Sequence, residues 1–192
     1  KNLKSNNYLK FSSNYEELKK CHIVYIAEDI PTDDKGNSDY KSINVSINYA
    51  LKYIKKETTL VIHSQVRPGF TRKIYSKHKN IYYHVETLIF GKAFDRASFP
   101  ERIIIGKCHN GHRINNKFKQ FIKKFNCPLI EMNYESAELA KISINMYLIS
   151  SNDKYACIGK DITHLDKRSV FFSLSDEIGN FLYGFWQCIG IG

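Results

Sequence analysis

The sequence predicts an α/β protein built on a parallel sheet, and three observations predict it. Short apolar runs rich in β-branched residues recur along the chain, as in CHIVYIA (21–27) and TLVIH (59–63). Segments with apolar residues at helical spacing lie between them. Turns bearing proline and glycine separate the two, as at Pro31 to Gly36 and at Pro68-Gly69. Continuous apolar runs mark strands covered on both faces, and their alternation with helices implies parallel strands joined by right-handed crossovers.

The elements follow in order. The run 21–27 is a first strand ending in the turn PTDDKG. Ile43, Ile47, Ala50, Leu51 and Ile54 share a helical face, which predicts a helix over about 40–55. TLVIH is a second strand, the segment opening at Pro68-Gly69 is helical, and IYYHV (81–85) is a third strand. RIIIG (102–106) and 128–132 are two more strands. The helix between them, over about 114–125, carries Phe118, Phe121, Ile122 and Phe125 as a core-facing stripe. A long helix starts near Tyr134 and continues to about Ile149, with Ser136 as its cap or in its first turn, and Glu135 and Glu138 near its positive end. Beyond Ser150 no stable periodicity is present, and the chain holds no internal repeat.

A length of 192 residues suits one domain or a domain with part of a second, and 43% hydrophobic with 25% charged residues excludes a disordered chain. No apolar run is long enough to span a bilayer, and a cytoplasmic location is expected. A net charge of +10 would suit a nucleic acid, an anionic membrane or a phosphorylated substrate. The lysines are scattered over polar helix faces without interleaved aromatics, so solvated surface is the simpler reading. Five well-separated cysteines without a C-x-x-C pair read as reduced thiols. Cys108, His109 and His112 form a Cys-His-x-x-His cluster, yet no second cluster follows at zinc-finger spacing, and no metal is expected.

Four stretches are candidates for chemistry. IAEDIPTDDKG (26–36) and HSQVRPGFTR (63–72) carry polar residues where strands deliver their loops to the carboxyl edge of a parallel sheet, the edge where ligands bind in open α/β folds. In the second stretch, Gly69 permits a tight turn or a close backbone approach ahead of a helix, whose N-terminus suits phosphate. In HVETLIFGKAFDRASFPERIIIG (84–106), Glu86 ends an apolar strand, where a carboxylate is costly to bury unless paired, solvated or functional. In ESAELAKISIN (135–145), Lys141 and Asn145 lie four apart and share a helix face beside an apolar stripe. Such a pair can aim at a cleft, or Lys141 can snorkel outward and Asn145 can satisfy backbone.

Taken in order, IPTDDKG, SQVRPG, VETLIFGKA with PERIIIG, and SAELAKISIN resemble the motifs of the UDP-glucose/GDP-mannose dehydrogenase family, over residues of about 8–150. Members of that family oxidise the 6-hydroxyl of a nucleotide sugar to a carboxylate with two molecules of NAD. The resemblance implies the later part of an NAD-binding Rossmann-type domain over 1–133 and the start of a helical central domain over 134–192. It implies NAD near Ile30, Pro31, Ser64 and Gln65, and a nucleotide sugar against Glu86, Leu88, Lys141 and Asn145, with Glu86, Lys141 and Asn145 catalytic. A cytoplasmic homodimer serving surface-polysaccharide synthesis follows from the same likeness.

The pattern departs from the family at Ile30, Gln65 and Phe90, which replace a threonine, a threonine and a glutamate. The family's G-x-G-x-x-G loop is expected before the first residue, in a longer chain. CIGIG (188–192) resembles the start of the glycine-rich loop that bears the family's nucleophilic cysteine, and Cys188 does not align with that cysteine. The rival reading is a shortened member that keeps the fold and binds a nucleotide sugar or a partner subunit without oxidising anything.

Overall fold

The computed structural model describes residues 12–33, 37–85 and 93–151, with side chains in the last stretch for 94–144. A short 3-10 helix, Tyr15–Lys20, leads into five strands: β1 (Ile23–Ile26), β2 (Thr59–Ile62), β3 (Ile81–Val85), β4 (Ile103–Lys107) and β5 (Leu129–Asn133). Between and after them lie α1 (Lys41–Tyr53), α2 (Phe70–Tyr75), α3 (Ala93–Ser98), α4 (Asn116–Lys123) and α5 (Tyr134–Ser151). All five expected strands and the four expected helices are present. The 3-10 helix and α3 are additions that periodicity did not reveal, because six residues are too few to establish a helical stripe.

Local chemistry explains the helix starts. Asp39, just ahead of the Tyr40 cap position, accepts the Lys41 N–H at the start of α1 at 2.9 Å, and Ile43, Ile47 and Ala50 are the buried face of the helix. Asn115 caps α4 by accepting the Lys117 and Phe118 N–H groups at 2.9 and 3.4 Å. Phe118 and Ile122 are the buried part of the α4 stripe, with Phe121 and Phe125 packed partly against it.

The sheet has the order β1-β2-β3-β4-β5. The expected parallel pairing holds for β1-β2, β2-β3 and β4-β5, whereas β3 and β4 pair antiparallel, with Tyr83 opposite Gly106 and Val85 opposite Ile104. The sheet is therefore mixed. A right-handed crossover laid on reversed strands that advance in the same lateral direction falls on the other face of the sheet. That is where α4 sits, packing on Val61, Tyr82, Ile103 and Ile105. The opposite face holds α1, α2 and the first turns of α5 against Leu60, Ile62, Ile81, Tyr83 and Ile104.

The reversal also sets the direction of α5. Since β5 runs with β4, its last residue lies at the amino edge of β1–β3, and α5 starts there. Tyr134 is fully buried and donates its hydroxyl to the Ile81 carbonyl at 2.7 Å, at the start of β3. From that point α5 crosses the sheet toward the carboxyl edge. Gly106 makes the crossing close: a Cβ there would meet the Ala137 Cβ at 2.8 Å, the Tyr83 Cβ at 3.1 Å and the Tyr134 Cα at 3.3 Å. Among the described residues no helix is long and apolar enough to cross a membrane.

Candidate functional site at the carboxyl edge

The loop after β2 is the best-defined wall of this edge. Ser64 is only 5% exposed; its carbonyl accepts the Tyr83 hydroxyl at 3.1 Å, while its own Oγ has no hydrogen-bond partner among the described residues. A buried hydroxyl without a partner is uncommon, and one at the carboxyl end of a parallel strand is placed to be completed by a ligand. Three residues on, the Arg67 N–H donates to the Tyr40 hydroxyl at 3.1 Å and the guanidinium lies over the Tyr40 ring. The loop is thereby held against the start of α1.

Gly69 closes the loop at φ +89°, a left-handed conformation that favours glycine. It leaves the first N–H groups of α2 facing α5. There the Gly69 and Thr71 N–H groups donate to the two carboxylate oxygens of Glu138, at 2.5 and 2.8 Å. Glu138 is fully buried; burial pushes its carboxyl upward from the ordinary range, and the two backbone donors pull it back in part. Glu138 lies four residues into α5, near its positive end as expected, and its carboxylate also meets the N-terminus of α2. At the exposed end of the same contact, Arg72 pairs bidentately with Glu135, through Nε and through the terminal nitrogen at 2.8 Å.

Glu138 fixes where the rest of α5 falls. Lys141 lies about 4.5 Å further along the axis and position 145 about 6 Å beyond that, all on one helical face by the i, i+3, i+7 rule. The helix runs toward the carboxyl edge, so this face carries Lys141 to the edge where Ser64 lies. Lys141 is 3% exposed. A buried ammonium is retained where other groups meet it or where it has chemistry to perform. The side chain of Asn145 lies outside the described residues, although its backbone belongs to α5. Glu86 and Leu88 lie outside them as well; Val85, the last residue of β3, ends at this same edge.

The turn after β1 supplies the remaining positions. Ile30 is buried in the core, with its N–H held by the Asp29 carboxylate at 3.0 Å, and Pro31 is exposed, its carbonyl accepting the Asp39 N–H at 2.7 Å. Gln65 is partly buried beside Ser64. Nearby, Glu28 takes the Ser42 hydroxyl at 2.7 Å and that of Ser46, which ties β1's exit to α1.

Sequence reasoning missed a second polar group near this edge. Tyr25, His63 and His84 lie near the carboxyl ends of β1, β2 and β3, on the face that α4 covers in part. The Tyr25 hydroxyl and His84 Nδ1 are 3.2 Å apart, His63 Nδ1 meets the His84 carbonyl at 3.0 Å, and burial pushes the Tyr25 phenol upward. Their shared facing was the available signal: the β2–β3 register continues to set His63 opposite His84, with Tyr25 two residues back on β1. Glu138 was also legible as a carboxylate one turn before Lys141, but its partner, 67 residues away, was not.

Three parallel strands whose carboxyl edge holds the buried Ser64 hydroxyl and the Gly69 turn, crossed by a helix bearing a buried lysine, form an α/β domain with a polar site at that edge. The chain belongs to the UDP-glucose/GDP-mannose dehydrogenase family: the model of that family's NAD-binding domain matches residues 1–125. It is 32% identical over 181 residues to a UDP-glucose 6-dehydrogenase of Rickettsia bellii, covering 83% of this chain and 40% of that protein. It is 29% identical over 157 residues to the UDP-glucose 6-dehydrogenase of Rickettsia felis, covering 74% of this chain and 34% of that one. The chain therefore spans roughly a third to two fifths of the curated relatives it matches. In fold it resembles a UDP-glucose dehydrogenase from Pyrobaculum islandicum, with a TM-score of 0.62 at 23% identity over 74% of this chain and 36% of that structure. NAD is the cofactor of such a domain, and the unpaired Ser64 hydroxyl at the carboxyl edge fits a polar ligand there.

Proposed function

We propose that this chain is part of an NAD-dependent nucleotide-sugar 6-dehydrogenase that oxidises the 6-hydroxyl of a UDP-glucose-like sugar to a uronate. The observation that carries the reading is the buried Lys141, set at the carboxyl edge by a helix that Glu138 anchors to the loop after β2. In this reading Ser64 and Gln65, with the Ile30-Pro31 turn, hold the cofactor. Glu86, Leu88, Lys141 and Asn145 receive the sugar. NAD, when bound, would accept a hydride from the sugar carbon in each of two successive oxidations, two molecules being consumed, with water supplying the second oxygen of the carboxylate.

The chain's own residues handle charge and proton. As the hydroxyl proton departs, negative charge develops on oxygen, and the Lys141 ammonium with the Asn145 amide stabilises it. Glu86 takes the proton directly or through an ordered water; a deprotonated Lys141 would serve the same role. Family membership supports the remaining assignments: a homodimer in the cytoplasm that serves polysaccharide synthesis, with the 192-residue chain inactive when alone.

The test is NADH formation by the full-length protein against UDP- and GDP-sugars, with Glu86→Gln as the site control. NADH produced from one nucleotide sugar and strongly reduced by Glu86→Gln supports the reading. Tight sugar-nucleotide binding with no NADH from any sugar would favour the non-oxidising family member instead.

A further inference from the structure

We propose that Cys108, His109 and His112 bind a single borderline transition-metal ion, Zn2+ above all, at the sheet edge opposite the cofactor edge. The three potential ligand atoms, one sulfur and two imidazole nitrogens, all lie within 4.8 Å of one another. In a tetrahedral zinc site, bonds of about 2.3 Å to sulfur and 2.0–2.1 Å to nitrogen place ligand atoms roughly 3.5 Å apart. Closing the set therefore needs small side-chain rotations, and His109 is exposed and free to make them.

The backbone has already brought the ligands together. The His112 N–H donates to the His109 carbonyl at 3.0 Å, closing a turn around Asn110-Gly111. Gly111 lies directly beside the His109 ring, whose Nδ1 would be in ordinary contact at 3.5 Å with a Cβ placed there. His112 is lodged between Tyr75 and Tyr82, with ring centroids 6.3 and 6.0 Å away. Cys108 is a buried free thiol. The neighbouring Lys107 ammonium is held by the Glu131 carboxylate and by the Asn110 carbonyl at 3.0 Å, which ties the turn to β5.

One sulfur and two imidazoles select Zn2+ or Co2+ over Mg2+ and Ca2+, which require oxygen ligands. Three protein ligands leave a fourth position, and the exposure of His109 turns it toward solvent, open to water or a small ligand. The absence of a second Cys/His cluster argued against a zinc finger but does not bear on a three-ligand site. The site is separate from the one proposed for the sugar: because β4 is antiparallel to β3, its exit lies beside the start of β3, across the sheet from Ser64.

The full chain would be titrated with Co2+ and then with Zn2+ against a chromophoric chelator. One equivalent of metal is expected, with a thiolate-to-cobalt charge-transfer absorption that Cys108→Ser abolishes. His109→Ala and His112→Ala are expected to weaken Zn2+ binding roughly tenfold or more, and Zn2+ to raise the melting temperature of the parent but not of the variants. Because Cys108 is in the core, His109→Ala, at an exposed position, decides the matter if Cys108→Ser does not fold. No zinc bound at micromolar concentration, or unchanged stoichiometry and affinity in the histidine variants, would overturn the proposal.

Discussion

The two halves of the sheet obey the same crossover rule and end with opposite polarity. Strands β1–β3 deliver their loops to one edge, where Ser64 is buried with no partner for its hydroxyl among the described residues. Strands β4 and β5 deliver theirs to the other edge, where the buried Lys107 is held by Glu131 and by the Asn110 carbonyl of the CHNGH turn. The difference shows what the single antiparallel pairing achieves. With β4 and β5 reversed, α5 begins at the far edge and runs back, so that a residue two turns into it arrives where the first three strands end.

The second contrast lies within α5. Its buried face carries Ala137, Glu138 and Lys141, while Leu139 is 53% exposed. The covered face is mixed, with Tyr134, Ala137 and the partly buried Ile144 packing on the core beside Glu138 and Lys141, so the two ionisable residues stand among apolar ones because they lie on the side of α5 that the sheet and α2 cover. Ala137 is small because Gly106 lies beneath it, and Glu138 is charged because the N-terminus of α2 faces it.

The largest expected effect tests whether the two edges differ in chemistry. Lys141→Ala in the full-length enzyme should lower the turnover number for the nucleotide sugar by about 10²–10³-fold with the fold retained by circular dichroism. Unchanged turnover would leave the carboxyl edge without its proposed charge stabiliser.

Gly106→Ala breaks the crossing itself. The added methyl meets the Ala137 Cβ and the backbone of Tyr134, and a loss of about 1–3 kcal/mol in urea unfolding is expected. A neutral result would mean that α5 lies further from the sheet. Glu138→Ala removes both acceptors from the start of α2, and a loss of roughly 0.5–2 kcal/mol is expected by the same measurement.

The smallest effect concerns the exposed end of the α2–α5 contact. The hydrogen bond from Arg72 holds the Glu135 carboxyl below the ordinary range, so the pair stabilises the fold above the unfolded-state value and loses that contribution as pH falls through the lower folded-state value. Both side chains are about two fifths exposed, 44% for Arg72 and 40% for Glu135, and solvent limits the contribution to about 1 kcal/mol or less. Glu135→Gln should therefore lower the midpoint slightly at neutral pH and flatten its decline in acid, a difference read from unfolding curves at several pH values.

Much of this was legible in the sequence because it is written in local chemistry. Period and β-branching located β1–β5, helical spacing located α1, α4 and α5, and Gly69 marks the left-handed turn. Order and spacing of the four motifs gave the family, and Ser64 and Lys141 emerged buried at one edge. Each of these depends on residues within a turn or two of one another, or on a pattern that the family repeats.

What only the tertiary structure decided is strand direction and the pairing of distant charges. Residues 81–85 and 102–106 look alike whether they run together or opposed, since alternation and β-branching do not depend on direction. The partner of Glu138 is a pair of backbone N–H groups, which every residue except proline possesses and which therefore leave no mark in the sequence.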